Sequence, residues 1–496
     1  MQKILLRTIP AMLACIVPLA LIGCGGGSNT TGGGNTTYTL GGTLAGLSVG
    51  QSVSLEDNGG DRLTLSANGA FSFPVRLGSG TAYAITVRSH TPGIACSVSN
   101  GSGTVGSSDV KGIGVSCAAG TARILHSFGA NATDGQEPYA GVITDSAGNI
   151  YGTTQTGGVN GRGTVFKISA TGTETILHSF GTSATDGLTP RGGVIIDSAG
   201  NIYGTTLDGG ANHMGAVFKI DTAGAETILY SFGGGANDGW SPTGGLIMDS
   251  AGNLYGTTSV GGSGGGGTVF KIGGGETILH SFDAGNIDGA DPYGGVIMDS
   301  AGNLYGTTTQ GGAYFEGTVF KISAAGTETI LHSFGASPTD GRVPTAGLIM
   351  DSAGNLYGAT TYGGANTSGT VFKIDNAGTE TILYSFAASA TDGRLPGPYS
   401  ALIMDNVGSL YGTTANGGVN HMSPLGDGTA FKISAAGTET ILYSFGSSAS
   451  DGLAPYAGLT VDSVGNLYGT TMNGGANFGT SINGFLNGGG TVFVID

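Results

Sequence analysis

A chain of 496 residues with 100 glycines and only 10% charged side chains has the composition of a repeat or low-complexity protein, not that of an ordinary globular enzyme. Its formal charge of −16 grows more negative once a leader carrying Lys3 and Arg7 is removed, which disfavours nucleic acid and anionic lipid as partners. Glycine recurs periodically among fixed aromatic and branched apolar positions, and that excludes disorder.

At the N-terminus, Lys3 and Arg7 precede an apolar stretch from Ile9 to Ile22 that is too short, and too broken by Pro10 and Pro18, to span a membrane. Residues 1–23 read as a secretion signal. Its end, Leu21-Ile22-Gly23-Cys24, resembles the lipobox of bacterial lipoproteins, which implies acylation of Cys24 and a membrane-anchored product. Gly25, where an aspartate would otherwise stand, points to the outer membrane or cell surface. Residues 24–37 then form a tether of glycine, serine, threonine and asparagine with a span of roughly 20 Å. Cys15 leaves with the signal and Cys24 carries lipid, so Cys96 and Cys117 remain to form one disulfide. The competing reading, a metal site at these two cysteines, lacks any further cysteine or histidine at ligand spacing.

Residues 38–118 alternate in short strands, Tyr38–Leu44, Ser52–Leu55, Leu63–Ser66, Ala70–Val75, Ala82–Val87, Cys96–Ser99 and Val110–Cys117, punctuated by Asn-Gly turns. The pattern predicts a small antiparallel β-sandwich pinned by the disulfide. It resembles the spacer modules found beside bacterial lipoprotein anchors.

From residue 119 to 496 one unit of about fifty residues recurs, a period that belongs to propeller blades. Its tyrosine falls at Tyr151, Tyr203, Tyr255, Tyr305, Tyr357, Tyr411 and Tyr468. The best copies read ETILHSF, DGxxP, LIMDSAGNLYGTT, GG and GTVFKI. LIMD is the expected innermost strand, NLYGTT the second, GTVFKI the third and ETILHSF the outermost. Small residues open the inner strand at Gly141, Gly193, Gly245, Gly295, Gly347, Ala401 and Gly458, as crowding round one axis requires. Arg123–Phe128 is an outer strand without inner partners, and Thr491–Asp496 is a third strand without an outer one. Joining them predicts an all-β, seven-bladed β-propeller of four-stranded blades in which the N-terminal strand completes the last blade. Third-strand lysines such as Lys167 and outer-strand glutamates such as Glu174 vanish together in that blade, as Val494 and Ala122, which suggests a charge pair across the hairpin.

YGTTxxGG, GTVFKI and DGxxP resemble the GloVer tandem-repeat family of bacterial surface proteins, whose members carry variable anchors, and the GNLYGTT hairpin is similar to NHL-type blades. The resemblance covers Ile124 to Asp496 and implies a surface repeat protein. It brings no catalytic residue and no cofactor.

Loops joining outer to inner strands and second to third strands share one face, where chemistry is expected. Asp134, Asp186, Asp238, Asp288, Asp340, Asp392 and Asp451 lie there, each before a glycine. They suit hydrogen bonds to their own loop amides, with a cation-binding ring as the alternative and no DxDxDG spacing to favour it. His126, His178, His280 and His332 alternate with Tyr230, Tyr384 and Tyr443 at one outer-strand position, which reads as packing. No nucleophile elbow, HExxH or phosphate loop is present. Symmetry breaks at the longer loops 415–427 and 472–489, at the Pro396-Gly397-Pro398 extension, and after the DGxxP loop, where blade 4 has Tyr293 and the consecutive blades 6, 7 and 1 have Tyr399, Tyr456 and Tyr139. These tyrosines offer flat faces and hydroxyls across blades 6, 7 and 1, suited to a polysaccharide or a surface-protein ligand, or else to packing beneath the longer loops. Arg191, Thr243 and Thr345 hold the equivalent place elsewhere and are expected to matter little. A binding module is the first expectation. A hydrolase or lyase using loop-face carboxylates, and a purely structural surface component, are the alternatives.

Overall fold

The computed structural model describes residues 36–283, 288–397, 399, 401–420, 426–479, 481–482, 485–486 and 489–496. The expected signal, Cys24 and nearly all of the tether lie outside them. Among the described residues there is no helix long and apolar enough to cross a membrane, and the regular structure is strand throughout.

The first part builds two four-stranded sheets. One runs Gly69–Ser72, Leu40–Ala45, Val110–Ala119, Ile94–Ser99, and the other Asp61–Leu65, Val53–Asp57, Ala82–His90, Ser102–Thr104. Alternation in each strand sends Leu40, Leu44, Val53, Leu55, Ile85 and Ile113 into one shared core. The arrangement is not wholly antiparallel, because Val110–Ala119 lies parallel to Leu40–Ala45. The chain between them passes through the second sheet, and so it returns in the same direction as it left. Cys96 and Cys117 face each other in adjacent strands and are bonded. His90 donates its amide to the Val464 carbonyl at 2.7 Å, which seats this part on the last repeat.

Each repeat then forms strands in the expected order. The first holds Ile143–Thr144, Ile150–Thr154, Thr164–Ile168 and Glu174–Ser179. Inner strands are only two residues long, shorter than LIMD suggests. The DSAGN turn explains itself: Asp249 accepts the amides of Ala251 and Asn253 on one oxygen, and the Asn253 side chain and the Tyr255 hydroxyl on the other. The final sheet takes Thr460–Val461, Leu467–Thr471 and Thr491–Ile495 from the C-terminus, and its fourth strand is Ala122–Ser127.

Three kinds of contact join one repeat to the next. A phenylalanine ending each outer strand packs on the third-strand phenylalanine of the following repeat, as Phe180 does on Phe218 at 5.1 Å between centroids. The glycine of YGTT leaves room for that ring, since a Cβ on Gly204 would lie 2.6 Å from Phe218 Cζ. A second-strand threonine donates to the next repeat's inner-strand carbonyl, Thr153 to Gly192 and Thr205 to Gly244. Finally, the inner-strand residues touch in succession, and Gly458 lies against both Ala401 and Gly141. The last repeat meets the first through the same contacts: Thr470 donates to Ala140 at 2.9 Å, and Phe128 packs on Phe166.

The expected lysine–glutamate pairing does not occur. Lys167 stands opposite Thr175 and its ammonium lies 5.5 Å from the Tyr151 ring centre, while Glu174 turns toward the preceding repeat's outer strand. Val494 accordingly stands opposite Tyr468, where a lysine would otherwise stack.

Candidate functional site

Inner-strand residues of all the repeats surround a cavity of about 290 Å3 lined by glycine, alanine, valine, leucine and isoleucine. Directly before the inner strands, DGxxP loops add Arg191, Thr243, Tyr293 and Tyr399 to its lining. Tyr139 packs edge-on to Tyr399 at 5.3 Å and stacks with Tyr456 at 5.6 Å. The expected trio therefore does come together. Two further groups join it: Tyr293 lies 6.3 Å from Tyr399, and the Arg191 guanidinium stands 5.1 Å from the centre of the Tyr139 ring. Burial raises the Tyr399 hydroxyl to about 12, partly offset by the nearby Arg191 charge, so it stays a neutral donor and acceptor.

Arg191 was expected to matter little and instead sits within the aromatic cluster. Thr243 and Thr345 are inward-bonded, to the Tyr293 carbonyl and to Thr361. The cluster thus draws on the second and fourth repeats as well as the sixth, seventh and first. Of the longer loops, Asn420 and Asn477 donate to the outer-strand carbonyls of Phe445 and Phe128, while Asp427 and Gly489 accept the amides of Ala454 and Glu137, two residues before Tyr456 and Tyr139. Residues 398, 421–425, 480, 483–484 and 487–488 of the predicted extension and loops lie outside the described residues.

A second polar feature recurs between neighbouring repeats. The seven aspartates each accept an amide from their own loop, as the turn reading expects: Ala130 donates to Asp134, Thr182 to Asp186 and Ala388 to Asp392. They do not line the central mouth. Each faces an outer-strand histidine or tyrosine and, in six cases, a glutamate from the next repeat. The Tyr230 hydroxyl lies 2.9 Å from both Asp238 and Glu276, and Tyr384 bridges Asp392 and Glu439 at 3.0 Å. One phenol carries one proton, so both contacts are fully satisfied when one of the two carboxyls is protonated and donates to the phenol oxygen. Burial first and Asp238 second push Glu276 up to about 7, which keeps that proton available. Tyr443 has only Asp451 and Ser447, because the glutamate's place is taken by Ala122. The outer-strand aromatic position is therefore a polar junction, not the simple packing position its alternation suggested.

Residues 88–287, 227–423 and 272–482 match the sequence profile of the Gloeobacter/Verrucomicrobia repeat. The chain is a member of the Gloeobacter/Verrucomicrobia repeat family. No curated protein matches it in sequence. Among solved structures, this repeat protein is similar to a puromycin hydrolase S511A mutant complexed with PGG, at 11% identity and a TM-score of 0.45, over 68% of this chain and 50% of that one. It is also similar to a luciferin-regenerating enzyme, at 13% identity and a TM-score of 0.37, over 62% of this chain and 91% of that one. At these identities and scores neither likeness bears on what the family member does.

Proposed function

We propose that this repeat protein is a lipid-anchored surface binding module that takes a polysaccharide at the aromatic mouth of a closed, seven-bladed β-propeller. Closure is supported by the pairing of Ala122–Ser127 with Thr491–Ile495 and by the Thr470–Ala140 bond. In this reading Cys24 holds the chain to the outer membrane, and the disulfide-linked sandwich spaces the propeller from it.

One observation carries the ligand assignment. Tyr139, Tyr293, Tyr399, Tyr456 and Arg191 converge on the cavity mouth although they break the repeat pattern, and building a propeller does not require them. Aromatic faces beside hydroxyl and guanidinium donors suit the apolar and hydroxylated faces of sugars.

The test is affinity electrophoresis of the full chain through gels loaded with a panel of polysaccharides. Retardation by at least one glycan is expected, with Tyr139→Ala, Tyr399→Ala and Tyr456→Ala each weakening it by about 1–3 kcal/mol. No retardation by any glycan, or unchanged retardation in the folded triple variant, would sink the proposal. Release of new reducing ends during the run would replace it with the hydrolase or lyase reading.

A further inference from the structure

The junctions between repeats differ in one respect that the molecule itself calibrates. Where Tyr230 and Tyr384 occupy the outer-strand position, the hydroxyl reaches the aspartate and glutamate at hydrogen-bonding distance. Where histidine occupies it, the shorter ring stops short. Nε2 of His126, His178, His280 and His332 lies 3.5, 3.6, 3.6 and 3.6 Å from Glu174, Glu226, Glu328 and Glu380. The same nitrogens lie 4.0, 3.6, 3.4 and 3.9 Å from Asp134, Asp186, Asp288 and Asp340. At these positions none of the four nitrogens makes a hydrogen bond.

The separations match something else. A zinc-class ion held by one imidazole and two carboxylates at about 2.0–2.2 Å places its ligand atoms about 3.3–3.5 Å apart in tetrahedral geometry. The four junctions offer His, Asp and Glu atoms within 4.8 Å of one another, close to that arrangement. Buried polar atoms supply an independent sign. Asp134 and Asp340 are 4% and 5% exposed, and in each the Oδ1 that faces the histidine makes no hydrogen bond. The four histidine Nε2 atoms are likewise unbonded. A neutral imidazole with two carboxylates balances a dication, which makes such burial affordable.

We propose that the His126–Asp134–Glu174, His178–Asp186–Glu226, His280–Asp288–Glu328 and His332–Asp340–Glu380 junctions bind divalent transition-metal ions of the zinc class, fastening adjacent repeats at their outer strands. Zinc here has three protein ligands and completes its shell with water.

The untagged full chain, stripped with a chelator and dialysed, is titrated with zinc chloride, and bound metal is counted by atomic emission. Wild type is expected to hold about one zinc per histidine junction and to melt at higher temperature with zinc than with chelator. His178→Tyr, which copies the arrangement already present at Tyr230, should lose about one ion. Replacing all four histidines by tyrosine should remove the bound ions and the melting response while the fold persists. Glu226→Gln keeps the side-chain shape and should lose the same ion as His178→Tyr, should the tyrosine variants fold poorly. A wild type that retains no zinc and melts identically with chelator would overturn the proposal and leave a proton-sharing network. A folded four-tyrosine variant that binds as much zinc as wild type would overturn it as well.

Discussion

Replacing Phe493 by alanine tests whether the chain's two ends are bound together as firmly as any interior pair of repeats. Phe493 comes from the last strand and is fully buried, 4.9 Å from Phe445, between centroids, in the geometry that Phe218 adopts with Phe180 at 5.1 Å. Both rings are 0% exposed. Truncating a buried phenylalanine costs about 3–5 kcal/mol in lost burial and residual cavity. If the terminal strand is held by Ala122–Ser127 on one side and Leu467–Thr471 on the other, Phe493→Ala and Phe218→Ala should cost nearly the same. A strand fraying from an open end would make the Phe493 change much the cheaper of the two. Urea unfolding followed by Trp240 fluorescence suits the comparison, because this is the chain's single tryptophan and it lies in the third repeat. A Phe493→Ala penalty below about a third of the Phe218→Ala penalty would refute end-to-end closure, since values within the scatter of buried truncations differ less than that.

Cys24→Ser should move the protein from the membrane fraction to the soluble one, checked by fractionation and by mass spectrometry of the wild-type N-terminus for acyl groups. Replacing Cys96 and Cys117 together by serine should cost about 2–4 kcal/mol, read from the denaturation midpoint of the sandwich, with the repeats melting as before. Glu276→Gln probes the shared proton beside Tyr230: the unfolded glutamate titrates near 4.5 and the folded one near 7, so the native state holds its proton more tightly and loses stability as pH rises through that window. The variant should melt like wild type near pH 5 and above it at pH 8. A variant less stable than wild type at pH 8 would show that Glu276 works there as an anion.

Much of the architecture was legible because repetition aligned the evidence. The DSAGN aspartates, the small inner-strand residues and the unmatched strands at Arg123–Phe128 and Thr491–Asp496 each had a purely local or additive meaning. What escaped the sequence was contact between repeats. Glu174 was paired with Lys167 across its own hairpin, yet register sets Lys167 opposite Thr175 and the glutamate's partners, His126 and Asp134, precede it by almost a full repeat. The joint presence of aspartate and glutamate around the histidine or tyrosine was a visible signal, but only the packing of neighbouring outer strands gives it a meaning. Arg191 was set aside because it departs from tyrosine, whereas the mouth brings residues together by position and not by type. The tyrosine trio itself was found through its asymmetry, and the longer loops meet it through Asp427 and Gly489, which accept amides two residues before Tyr456 and Tyr139.

The pairing of Ala122–Ser127 with Thr491–Ile495 also sets an order of events in time. Every other sheet of the repeats is built from strands of one unit and can form as soon as that unit is available. The last sheet needs residues from opposite ends of the repeat region, so its first strand must wait, with an open edge, until the final residues arrive. A chain cut short before Thr491 would keep that edge exposed and add a second one at Leu467–Thr471, both able to recruit strands from other molecules. The terminal strand thus covers both edges at once, and a chain lacking it leaves both open.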